Sequence, residues 1–213
     1  MQVALFQFSL FGINTYVIYD PESKECVVVD PGMSTPEEEA AIENFILDKG
    51  LKLTQIINTH LHIDHVAGIP YLRKKFGVPV LAHEGDKKLG KRIDVQSEVF
   101  GLNLKIGEIE ISEYLKAGDK IKIGNGELEV ISVPGHSKGS IALYDPQAKF
   151  LISGDALFQG SIGRTDLPGS DHKELLDSIK SELFTLPDET VVLPGHGAAS
   201  TIGDEKRMNP FFK

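Results

Sequence analysis

Tryptophan is absent from the chain, and Cys26 is its one cysteine. A lone thiol permits no intramolecular disulfide, and its place before Val27, Val28 and Val29 reads as a strand interior, so Cys26 is expected to be a packed, structural side chain. No apolar run approaches the roughly 20 residues of a membrane span. The first residues, Met1 to Gln7, carry no basic segment of the kind that opens a secretory signal, and a cytoplasmic protein with no membrane partner is expected. Positive charge is also short, with 22 Lys and Arg against 31 Asp and Glu and a formal net charge of -9. Affinity for nucleic acid comes mainly from Lys and Arg neutralising phosphates, so no nucleic-acid partner is expected and a nuclease is disfavoured.

What the chain has is enough apolar content, 41% over 213 residues, for a sizeable core. No linker or low-complexity stretch divides it, which predicts a single domain over residues 1–213. Residues 3–8, 13–19 and 26–29 read as strands separated by turn signals. Thr35-Pro36-Glu37-Glu38 supplies an N-cap, a proline at the first helical position and acids for the first turn of a helix to about Asp48. A strand at 53–57, a helix to about Phe76 and a strand at 78–82 follow. Residues 84–118 show no clear period, consistent with a lid or a cover over a sheet edge. Strands are expected again near 120–123, 127–133, 140–144 and 149–153, then a helix at about 172–183 and a strand at 190–193. Two β-rich halves with outer helices predict an α+β fold, a four-layer αβ/βα sandwich.

The densest chemistry is Thr59-His60-Leu61-His62-Ile63-Asp64-His65, three imidazoles and one carboxylate in a loop after a strand. Three more candidates end predicted strands, each directly after a glycine: His136, Asp155 and His196. Together these seven are too many for one tetrahedral zinc, whereas two ions roughly 3.5–4 Å apart and bridged by a carboxylate suit a two-metal hydrolase. Asp155 is assigned the bridge, with His60, His62 and His136 at one ion and Asp64, His65 and His196 at the other. Imidazole and carboxylate donors suit two divalent ions, zinc foremost, with iron or manganese as alternatives. A structural or storage zinc module fits less well, because such sites are closed and thiolate-rich.

The run His60 to His65, followed by His136, Asp155 and His196, resembles the signature of the metallo-β-lactamase superfamily at all seven positions. Gly154-Asp155-Ala156-Leu157-Phe158, Gly163-Arg164-Thr165-Asp166 and the tail from Thr201 to Phe211 are similar to the glyoxalase II-like, or hydroxyacylglutathione hydrolase-like, branch. That resemblance implies hydrolysis of S-lactoylglutathione or a related small-molecule acyl thioester by a metal-bridging hydroxide, with Asp64 as a catalytic residue orienting it. It also implies that Arg164 meets a carboxylate of a glutathione-linked substrate, although a structural salt bridge is the other reading. Asp30 is either a turn residue or the acid that holds a ligating imidazole.

Two departures bear on the substrate. Asp166 stands where eukaryotic-type relatives have an aromatic residue, and it would repel a glutathione carboxylate unless paired. The given sequence also stops at Lys213, short of the C-terminal helical domain of longer relatives, so another thiol carrier is compatible. A persulfide dioxygenase with one iron is the alternative function, its iron held by the His60/His62 pair, His136 and Asp155. Lys138 is expected to be solvated, and His83 and His172 are expected to stay outside the cluster.

Overall fold

The computed structural model describes residues 1–213. In the first half β1 (Gln2–Gln7), β2 (Asn14–Tyr19) and β3 (Glu25–Val29) form a meander, followed by α1 (Pro36–Asp48), β4 (Lys52–Ile57), α2 (Ile63–Val66), α3 (Ile69–Phe76) and β5 (Val80–His83). A 3-10 turn (Glu84–Asp86), α4 (Lys87–Gly90), α5 (Ile93–Val99) and β6 (Glu113–Leu115) complete it. The second half runs β7 (Lys120–Ile123), β8 (Gly126–Ser132), β9 (Ile141–Asp145), β10 (Phe150–Gly154), β11 (Leu157–Phe158), β12 (Ser161–Ile162), α6 (His172–Ser181), β13 (Val191–Pro194), β14 (Ser200–Thr201) and α7 (Ile202–Met208).

Two six-stranded sheets result, ordered β1-β2-β3-β4-β5-β6 and β14-β13-β10-β9-β8-β7. Alternation along the strands sorts side chains between layers. Tyr16, Ile18, Val27 and Val29 face the second sheet and join Leu128, Val130, Leu143 and Ile152 in the central core. Their neighbours Val17, Cys26 and Val28 face outward, under Ile42 and Ile46 of α1 and Leu72 of α3. On the far side Ala142, Leu151 and Val192 pack under Leu175 and Ile179 of α6. The i, i+4 pairs on α1 and α6 form one apolar stripe each, and every such fully buried side chain is worth about 1.5–3 kcal/mol. The order of layers is therefore helix, sheet, sheet, helix, the αβ/βα sandwich expected.

Thr35 caps α1 as its sequence predicts, accepting from the Glu38 N–H at 3.3 Å. The regular α6 ends at Ser181, short of 183, and a 3-10 turn (Leu183–Thr185) takes over. Residues 84–118 do cover a sheet edge, and they also contribute the edge strand itself, β6 pairing in parallel with β5. The hairpin β11–β12 and the terminal pair β14–α7 escape sequence reading because both are too short to show a period.

Strand direction decides where the loops gather. β3 is parallel to β4, β10 is parallel to β13, and β9 is antiparallel to both β8 and β10. The C-terminal ends of β3, β4, β8, β10 and β13 therefore point to one edge of the sandwich, where Asp30, His60, His136, Asp155 and His196 follow them.

Candidate metal centre

The seven candidate donors meet at that edge in two trios. His62 Nδ1 and His60 Nε2 lie 2.9 and 3.2 Å from His136 Nε2. His196 Nε2 lies 3.1 Å from Asp64 Oδ2, which is 3.8 Å from His65 Nε2. Asp155 stands between the trios: Oδ1 is 3.4 Å from His65 Nε2, and Oδ2 is 3.6 Å from His196 Nε2 and 3.7 Å from His136 Nε2. Asp64 and His65 belong to the helical turn α2, not to an irregular loop as expected, and that turn brings them to Asp155 and His196 while the His65 ring stays 4.0 Å from that of His60.

Backbone freedom makes the approach close enough. At Gly154 φ is +51°, and a Cβ there would stand 2.4 Å from Thr59 Oγ1. A Cβ on Gly195 would stand 2.2 Å from Asp155 Oδ1 and 2.8 Å from His65 Cε1.

Outer partners fix which imidazole nitrogen faces inward. His136 Nδ1 donates to the Arg164 carbonyl at 2.8 Å and His196 Nδ1 to the Phe11 carbonyl at 3.2 Å. His60 Nδ1 is 3.2 Å from Thr59 Oγ1, whose proton goes to Asp30 Oδ2 at 2.7 Å, so the hydroxyl oxygen is left to accept from the ring. His65 Nδ1 is 3.0 Å from the same Asp30 oxygen. His60, His136 and His196 thereby turn Nε2 to the centre, His65 does the same, with its Nδ1 toward Asp30, and His62 turns Nδ1 inward. Asp30 is thus both a turn residue, with φ at 50°, and a buried carboxylate against a clustered histidine; it also accepts from the Thr59 N–H at 2.8 Å.

The electrostatics divide the trios. Burial and mutual repulsion hold His60 well below the ordinary imidazole range and His62 at about 3, so these two rings present neutral lone pairs. At the second, burial works to lower His65, but Asp155, Asp30 and Asp64 outweigh it and raise the ring well above its usual value; His196 is raised too. That half of the site is organised to hold positive charge. Both nitrogens of His65 and Asp155 Oδ1 are buried without a well-formed hydrogen bond, an arrangement that costs free energy unless a ligand completes it. Converging imidazole nitrogens, clustered carboxylate oxygens and buried polar atoms without partners fit the binding of divalent metal.

Several residues that hold the site have no motif to announce them. Asp86, buried, accepts from the Leu61 N–H at 2.9 Å, from Ser137 Oγ at 2.8 Å and from the Gly139 N–H at 2.7 Å, tying the two loops that carry the first trio. Gln96 on α5 donates to the Leu61 carbonyl at 3.3 Å and accepts from the Ile63 N–H at 3.0 Å. Asn14 Nδ2 donates to the carbonyls of Pro194 and Gly197 at 3.0 and 2.9 Å, and the Tyr16 hydroxyl donates to Pro194 at 2.7 Å, fixing the His196 loop. Three polar residues, Asn14-Thr15-Tyr16, at the start of an apolar strand are the signal that was available. Arg164 is exposed and engages Asp166 through two hydrogen bonds of 2.7 and 2.8 Å. His83 accepts from the Gly85 N–H, His172 lies beside Thr165, and neither reaches the cluster. Lys138 is exposed and lines a cavity beside the first trio.

An αβ/βα sandwich with clustered His and Asp donors at its strand-end edge is an architecture of metallo-hydrolases. The chain belongs to the metallo-beta-lactamase superfamily, whose family model matches residues 9–196, and whose members are mostly metal-dependent hydrolases. Hydroxyacylglutathione hydrolase GloC of Haemophilus influenzae is 35% identical over 212 residues, covering 99% of this chain and 98% of that protein. Among solved structures, the BLEG-1 B3 metallo-beta-lactamase superposes with a TM-score of 0.89 at 33% identity over 100% of both chains. TTHA1623 in a di-iron-bound form gives 0.87 at 37% identity, covering 98% of this chain and 100% of that one. ETHE1 from Myxococcus xanthus gives 0.79 at 28% identity, covering 99% and 84%.

Proposed function

We propose that residues 1–213 work as one metal-dependent hydrolase domain that cleaves small-molecule acyl thioesters. The observation that carries the reading is the pair of donor trios joined through Asp155, supported by the near full-length similarity to a hydroxyacylglutathione hydrolase. In this reading His60, His62 and His136 hold one divalent ion, Asp64, His65 and His196 hold the second, and Asp155 contacts both. Such ions supply hydroxide near neutral pH and polarise the scissile carbonyl. The protein's own part is orientation. Asp30, Thr59, Arg164 and Phe11 hold four imidazoles through oxygens outside the centre, and Asp64 would turn a carboxylate oxygen toward it to accept a hydrogen bond that orients the attacking hydroxide. Thiolate is a good leaving group, so no protein acid is needed at the sulfur. Zinc is the first candidate metal, and the di-iron form of TTHA1623 supports iron as an alternative.

The test pairs metal analysis of protein purified without added metal with thioesterase assays on S-lactoylglutathione. Two equivalents of metal per chain and thioester turnover are expected. Asp155→Ala is expected to lower kcat/KM by about a thousandfold, ~4 kcal/mol of transition-state stabilisation; undiminished turnover in that variant sinks the assignment. The similarity to ETHE1 favours a second reading, a persulfide dioxygenase with one iron. Oxygen uptake with glutathione persulfide by the iron-loaded protein, without thioester hydrolysis, would select it.

A further inference from the structure

A cavity of about 430 Å³ opens beside the first trio, with His62 and His136 at its floor. One wall comes from the helical segment 84–100, through Leu89, Val95, Val99 and Phe100; the other comes from Leu167 and Pro168. Val95 and Val99 sit at i, i+4 on α5 and are 42% and 76% exposed, an apolar strip turned to solvent at the mouth of a reactive site. Phe100 is braced by an edge-on contact with Phe11, ring centroids 5.7 Å apart.

The charge of this cavity runs against that of the molecule. On a chain of net charge -9, Lys88, Arg92 and Lys138 all line it, all are exposed, and none forms an ion pair. The one acid in the wall, Asp86, is buried with its oxygens engaged by Leu61, Ser137 and Gly139. Three unneutralised cations around a half-apolar opening raise the local concentration of anions and favour a ligand with both characters. Arg164 is not part of this lining, and its guanidinium is engaged by Asp166.

We infer that this cavity is the substrate site, and that its ligand is an amphipathic anion. The apolar stem lies along Leu89, Val95, Val99 and Phe100, and a carboxylate or phosphate on the carrier meets Lys88, Arg92 and Lys138. The inference rests on the thioesterase reading for the reactive group, but not for the binding.

Equilibrium binding tests it with thioethers that cannot be hydrolysed. S-hexylglutathione brings carboxylates, S-hexyl-coenzyme A brings phosphates, and S-hexyl-N-acetylcysteamine brings neither; each is titrated calorimetrically into the metal-loaded protein at low and high salt. At least one anionic probe is expected to bind tenfold or more tighter than the neutral one, with the advantage shrinking in salt, and whichever it is names the carrier. Lys88→Gln combined with Arg92→Gln should cost that probe about tenfold, and Val99→Asp should weaken it as well, whereas Lys52→Gln at the opposite end of β4 should not. Equal affinity for all three probes, or binding indifferent to Lys88 and Arg92, overturns the inference. Anion-selective binding without turnover of any thioester overturns the thioesterase reading and leaves the binding site standing.

Discussion

At the scale of single residues, Asp30 shows how much one side chain can organise. It accepts from the Thr59 backbone and hydroxyl and stands against His65, so one carboxylate braces a ring in each trio, His60 through Thr59 and His65 directly. The candidate donors were legible because imidazoles and carboxylates crowd together at such density chiefly to hold metal, and because glycine precedes three of them at strand ends. Asp86, Gln96, Asn14 and Tyr16 were not, since what they do depends on partners far away in sequence: Tyr16 is anchored to Pro194 and Asp86 to Ser137. Cys26 is the simplest residue to test. Burial pushes its thiol up to about 12, and it is fully enclosed between the first sheet and its helices. Native protein at pH 8 should show no reaction with Ellman's reagent over minutes, and one thiol per chain should appear on unfolding in guanidinium; rapid labelling of the native protein would contradict the burial.

Among elements, the segment from 84 to 100 carries more than its sequence suggests. It holds both polar groups of the Leu61 peptide, the N–H through Asp86 and the carbonyl through Gln96, so the register of His60 and His62 is set from outside their own loop. Its 3-10 turn and two short helices are assembled around tertiary hydrogen bonds, which leaves no repeat for periodicity to find. The long helices and strands were readable for the opposite reason, since Ile42/Ile46 and Leu175/Ile179 mark one face and Val27-Val28-Val29 is an apolar, β-branched run bounded by turn signals. Asp86→Ala leaves the buried N–H groups of Leu61 and Gly139 without an acceptor, while Ser137 Oγ can turn to Ser140 Oγ, and should lower stability by about 3 kcal/mol, each orphaned group costing roughly 1–3 before relaxation. Asp86→Asn keeps one acceptor and should recover part of the loss. Urea unfolding of both variants checks the order, and a competing chelator dye should report metal held more weakly in Asp86→Ala at the first trio than at the second.

For the whole molecule, the two sheets meet through a core that includes Ile57 and Leu81 from one side and Leu143 and Phe150 from the other, independent of the donor trios. Metal-free protein is therefore expected to remain folded and to unfold in one cooperative step. Cations bound only by the native state add RT ln(1 + [L]/Kd), about 4 kcal/mol for each site at a thousandfold excess over Kd. Dialysis against EDTA should accordingly lower Tm by several degrees while preserving the far-UV circular dichroism, and restored metal should return Tm; collapse of the spectrum would show that the sandwich depends on its metals. The four layers were legible from two β-rich halves flanked by helices, but the edge at which the loops gather was not, because it follows from which strands run parallel.

The gathering of loops at one edge also fixes an order in time. His60 and His62 leave the ribosome long before β8, β10 and β13 exist to deliver His136, Asp155 and His196, and parallel pairing of β10 with β13 is itself a slow, non-local step. A nascent chain lacking β13 has neither the pairing that positions Asp155 nor the last imidazole. In the dinuclear reading, the second cation would be captured only after the final strand has docked.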